Sequence, residues 1–124
     1  MKKQSAGILA YRFNDEHCEV FLIHPGGPYW KNRDQDPWSI PKGEFDEGEQ
    51  PFDAAKREFK EETGHDIAGD FWELEPVIQK GGKAVYAWAV EANPDAENIT
   101  SNTFKMEWPP KSGQYKNFPE ADKA

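Results

Sequence analysis

Apolar positions fall into several short runs of strand-like pattern and one segment with helical period. Residues 4–13 (QSAGILAYRF) and 18–24 (CEVFLIH) read as strands, the second richer in branched and aromatic side chains. Pro25-Gly26-Gly27-Pro28 ends the second run, and the polar stretch through Pro37 reads as a long loop. Trp38-Ser39-Ile40 predicts a short strand stopped by Pro41, followed by a loop rich in Gly and acid from Lys42 to Gln50. Pro51 suits the first turn of a helix, where its missing N–H costs nothing, and Gly64 supplies the left-handed residue that stops it. Within the helix predicted over 51–63, Phe52, Ala55 and Phe59 fall on one stripe that must face a core. Three further strand-like runs follow at 71–79, 83–91 and 101–108, the first two joined by a hairpin turn at Gly81-Gly82. One helix among six strand candidates predicts an α+β fold with a mixed or mostly antiparallel sheet. After Pro109-Pro110 the last residues are polar, and no second helix is legible that would cover the other sheet face.

Composition narrows the function. The 124 residues are the size of a single domain, 1–124, and 36% of them are hydrophobic, enough for one core. Fifteen Lys+Arg against 23 Asp+Glu leave a formal charge of −8. Such a surface does not bind duplex nucleic acid or an anionic membrane through general basicity. A polyanionic ligand would need its charge neutralised by something else, and a metal ion is the obvious agent. Cys18 is the single cysteine, which excludes an internal disulfide and a CxxC site. No apolar run reaches membrane-spanning length and the N-terminal stretch does not read as a signal peptide, so a cytoplasmic location is expected.

Glu58, Glu61 and Glu62 stand at i, i+3 and i+4 on one helix face, beside the predicted core stripe. Like charges so placed oppose one another. Two readings account for them: an ordinary solvated acidic face, or a site for a hard divalent cation, which takes carboxylate oxygens and shares them with substrate phosphates.

Gly43, Glu49, Arg57, Glu58, Glu61, Glu62 and Gly64 fit the pattern G-x5-E-x7-R-E-U-x-E-E-x-G-U at every fixed position, where U is a bulky aliphatic residue. The segment 43–65 thereby resembles the signature box of the Nudix hydrolases. The U slots hold Phe59 and His65, departures that touch packing and not charge. The resemblance implies a Nudix fold, a mixed β-sheet sandwiched by helices. The family's C-terminal strand and helix look short or missing here, so the chain reads as cut short, or as a homodimer covering the second sheet face. It also implies Mg²⁺ or Mn²⁺ held by Glu58, Glu61, Glu62 and the Gly43 carbonyl, with Arg57 paired to Glu49 as a brace. Glu61, Glu62, Glu58 and Arg57 would form the catalytic machinery. The general base would be a box glutamate or a later one, with Glu107 the preferred later candidate beside Glu91 and Glu120.

The implied reaction is attack of water on phosphorus in a nucleoside diphosphate linked to another group. Trp38-Ser39-Ile40-Pro41-Lys42-Gly43 is similar to the W-x-x-P-K-G of family members acting on dinucleoside polyphosphates, with Lys42 meeting a phosphate. Tyr29 and Trp30, in the Pro/Gly-rich loop, are candidates to stack on a base. Tyr86 and Trp88 alternate along a strand and are expected to pack in the core instead. A nucleoside triphosphate is the alternative substrate, and a non-catalytic nucleotide-binding module the alternative class. In each case the expected partner is a small nucleotide, with no membrane and no duplex nucleic acid.

Overall fold

A computed structural model describes residues 3–29 and 38–124, so Trp30 lies outside the described residues. The elements run β1 (Gln4–Asn14), β2 (His17–Val20), β3 (His24–Pro25), β4 (Lys42–Glu44), α1 (Pro51–Thr63), β5 (Phe71–Glu73), β6 (Val77–Ile78), β7 (Ala84–Glu91), β8 (Thr103–Glu107), β9 (Tyr115–Pro119) and β10 (Ala121–Lys123). β1 is the hub of a six-stranded mixed sheet: it pairs antiparallel with β2 and β4 and parallel with β7. β5 and β6 both pair antiparallel with β7. Two ribbons lie outside that sheet, β3 with β10 and β8 with β9.

The predicted helix forms with the expected bounds. Pro51 opens it, and Gly64 closes it at φ 79° with its N–H on the Lys60 carbonyl. Its apolar stripe packs on β1: Ala54, Ala55 and Phe59 join Ala6, Ile8, Ala10, Phe21 and Ile23 in the core. Phe59 is wholly buried, its ring 5.6 Å from that of Phe21. Phe52 packs at the rim between Phe71 and Trp88. The Gly81-Gly82 turn also forms, with Val77 opposite Val85 and Ile78 opposite Ala84.

Several expectations are corrected. The run 18–24 divides, because the chain leaves the main sheet after β2 and His24–Pro25 pairs with β10. Ser39 forms only an isolated bridge to Ile23, and the strand lies two residues further on, at β4 inside the predicted loop. There Gly7 lets β1 lie close against β4; a Cβ at Gly7 would lie 2.6 Å from the Pro41 carbonyl oxygen. The run 71–79 breaks between β5 and β6 around Pro76, which cannot donate to a ladder. The polar tail is not structureless: β9 pairs with β8 over five positions, and Ala121 of β10 enters the core. α1 is the one helix among the described residues, so helices on both sheet faces are not observed and the elements after Trp108 are strands. No helix among the described residues is long and apolar enough to cross a membrane.

Phe59→Ala removes the largest fully buried side chain and leaves a cavity against Phe21. Guanidinium unfolding should show a loss of about 3–5 kcal/mol, with retained secondary structure by circular dichroism.

Candidate functional site

The acidic face of α1 is organised by one cation. Arg57 grips Glu49 with two parallel bonds, Nε to Oε2 at 2.8 Å and Nη2 to Oε1 at 2.9 Å. Its Nη1 donates to Glu58 Oε1 at 2.8 Å and to Glu61 Oε2 at 3.0 Å. The planar guanidinium thus fastens the loop before α1 to the helix and divides its remaining donors between two carboxylates. Bonded to Arg57, the Glu49 carboxyl is held below the usual carboxylate range.

Glu58, Glu62 and Glu120 converge, with a carboxylate oxygen of each within 4.8 Å of the others. Glu58 and Glu62 are buried, because the arc they occupy adjoins the core stripe. Gly43 makes room for the first: a Cβ there would sit on the Glu58 carboxylate. Glu62 Oε2 is buried without a hydrogen-bond partner. Burial above all, then the Glu58 and Glu120 charges, pushes the Glu62 carboxyl up to about 8. Burial likewise raises Glu58 against the opposing pull of Arg57, and raises Glu120 beside Glu61. Lys42, half-buried, sits near Glu62 and is pushed down by burial and by the Lys83 charge.

These groups fit a hard divalent cation. Every converging donor is a carboxylate oxygen, one of them buried and unpartnered, and the only cations set close to them among the described residues are Arg57 and Lys42.

The expected residues are redistributed. Of the three box glutamates, Glu58 and Glu62 meet, whereas Glu61 turns to Arg57 and Glu120 joins the cluster in its place. Glu107 is not brought there. Its carboxylate accepts the Lys111 and Gly113 N–H groups, at 2.9 and 3.2 Å, and closes the β8–β9 turn. Glu91 is exposed at the end of β7. Tyr29 packs its ring edge-on to Trp108, 5.3 Å between centroids, and stays 56% exposed. Tyr86 and Trp88 pack on Phe45 and Phe52, in line with the core role expected for them. The place of Glu120 was not legible, because a long-range ribbon delivers it and no local spacing marks it.

Residues 1–110 match the NUDIX domain. The chain belongs to the NUDIX domain family. It is 31% identical over 118 residues to the 8-oxo-(d)GTP phosphatase of Mycolicibacterium smegmatis, covering 86% of this chain and 34% of that protein. It thus spans about a third of that relative's length. Among solved structures it is similar to a MutT/nudix family protein from Enterococcus faecalis, with TM-score 0.63 and 17% identity over 99% of this chain and 44% of that one. It is also similar to the C. elegans Ap4A hydrolase, with TM-score 0.56 and 26% identity over 96% of this chain and 81% of that one. The matched residues include α1, which carries Glu58 and Glu62.

Two outcomes follow from the carboxylate cluster. Between pH 4.5 and about 8 the folded chain keeps a proton on Glu62 that the unfolded chain has released. In chelator, stability should therefore fall as pH rises through that window, and Glu62→Gln should flatten the slope. Thermal melts across the range check it. Gly43→Ala should displace the Glu58 carboxylate while leaving the helix intact, which crystallography of the variant would read directly.

Proposed function

We propose that this chain is a divalent-metal-dependent hydrolase of phosphoanhydride bonds in nucleotides. The convergence of Glu58, Glu62 and Glu120 around a buried, unpartnered carboxylate oxygen carries the reading. These three side chains would hold Mg²⁺ or Mn²⁺, with the Gly43 carbonyl beside them and Glu61 at the margin. When bound, the cation supplies Lewis acidity to the phosphate oxygens and offsets their charge. Glu61, oriented by Arg57 and with a third of its side chain exposed, is set to take the proton of an attacking water. Arg57 keeps Glu49, Glu58 and Glu61 in register through the reaction. Lys42 meets a phosphate as a point charge.

The substrate we favour is a dinucleoside polyphosphate. The Trp38–Gly43 motif supports this, together with the likeness to the C. elegans Ap4A hydrolase and the exposed Tyr29 beside Trp108. The second reading, a nucleoside triphosphate, draws on the relative named an 8-oxo-(d)GTP phosphatase.

Anion-exchange chromatography of products from dinucleoside polyphosphates, nucleoside triphosphates, sugar nucleotides and capped RNA, with Mg²⁺ or chelator, separates these readings. We expect metal-dependent cleavage of the dinucleoside class, with Glu62→Gln lowering turnover by orders of magnitude while the fold persists. Preference for triphosphates would select the second reading. Binding without cleavage across the panel would make the chain a sensing module.

A further inference from the structure

Glu120 differs from Glu58 and Glu62 in what fixes it. The latter two ride on α1, whereas Glu120 lies between β9 and β10, strands outside the six-stranded sheet. Both of its main-chain polar groups are engaged. Its N–H donates to the Asn102 carbonyl at 2.8 Å, and its carbonyl accepts from the Gly26 N–H at 3.1 Å. One residue on, the Ala121 N–H donates to Ser101 Oγ at 2.9 Å. Two residues on, Asp122 Oδ1 lies 2.8 Å from Nδ1 of His24, a side chain with no solvent exposure. An ionised carboxylate only accepts, so Nδ1 carries the proton.

The same segment is tied to the helix. Thr100 N–H donates to the Thr63 carbonyl at 2.8 Å and Asn102 N–H to the Glu61 carbonyl at 2.6 Å, both near the C-terminal end of α1. Residues 100–102 therefore bridge the helix that carries two of the carboxylates to the ribbon that carries the third. The β10–β3 register is irregular between Ala121 and Lys123, so the short ladder alone does not hold this stretch. A buried imidazole is costly without a directional partner, and an apolar pair would pin the ribbon without fixing its rotation.

We propose that His24, Asp122 and Ser101 are positioning residues that hold Glu120 in register with Glu58 and Glu62. This rests on the reading of those three carboxylates as a cation site. The measurement is Mn²⁺ affinity of the full chain by electron paramagnetic resonance, with turnover followed in parallel. Asp122→Ala should weaken Mn²⁺ binding by about tenfold or more, the range for residues that orient a ligand. Asp122→Asn should recover much of that loss, since its amide oxygen still accepts from His24. The double variant Asp122→Ala/Glu120→Gln should bind no more weakly than Glu120→Gln alone, because Asp122 acts through Glu120. Ser101→Ala should shift affinity in the same direction, and it decides the matter if Asp122→Ala does not fold.

Additive losses in the double variant would overturn the proposal. So would parental Mn²⁺ affinity in both Asp122→Ala and Ser101→Ala with only a lowered Tm. Parental affinity in Glu120→Gln, with losses in Glu58→Gln and Glu62→Gln, would overturn it while sparing the cation site. Parental affinity in all three would overturn the site and the proposal together.

Discussion

Everything at this site answers to one electrostatic difficulty: carboxylates of like charge converge where little water reaches them. Desolvation and mutual repulsion both disfavour the ionised forms of Glu58 and Glu62. Arg57 is the main local remedy. Its fork sets Nε and Nη2 on Glu49 and the N–H groups of Nη1 on Glu58 and Glu61. The Glu49 pairing does not neutralise the cluster; it holds the guanidinium where its remaining charge opposes the burial penalty. A lysine would supply similar charge without the two-pronged hold on the loop.

The scaffold delivers these groups at two levels. β1 sits beneath α1 and beside β4, so the Ala6↔Gly43 pairing sets the height of Gly43 against the helix face carrying Glu58. That half of the site belongs to the main sheet and inherits its rigidity. Glu120 arrives separately, on strands whose ties to the helix are the hydrogen bonds of residues 100–102 and whose tie to β3 includes a buried histidine. The site is therefore no more rigid than the ribbon that completes it.

What was legible in the sequence tracks the range of the interaction. Pro51, Gly64 and the Phe52, Ala55, Phe59 stripe are local signals, and α1 forms with the bounds they imply. The shared face of Glu58 and Glu62 also follows from spacing on one helix, while the Arg57–Glu49 brace was implied by the resemblance to the Nudix box. β4 was hidden because it depends on a long-range approach, Lys42 lying against Gly7 of β1, that no local pattern marks. β9 was hidden because Tyr115, Lys116 and Asn117 are all exposed and leave no alternation to read. Glu107 seemed suited to the site from its place beside Trp108-Pro109-Pro110, yet a hairpin turn claims its carboxylate. Only three-dimensional pairing could prefer Glu120 to it.

The same bookkeeping would reconcile an acidic chain with the anionic substrate proposed for it. Among the described residues, Arg57 and Lys42 are the cations set close to the three carboxylates, and Lys42 is itself disfavoured as a cation by burial and by Lys83. In chelator, protons must cover part of the remaining deficit, which is what the raised Glu62 carboxyl expresses. A divalent cation would displace those protons, so binding it and ionising the cluster are one linked event. On the proposed reading the cluster's acidity would then work for an anionic substrate: carboxylates that would repel a phosphate chain would become the means of concentrating positive charge in front of it.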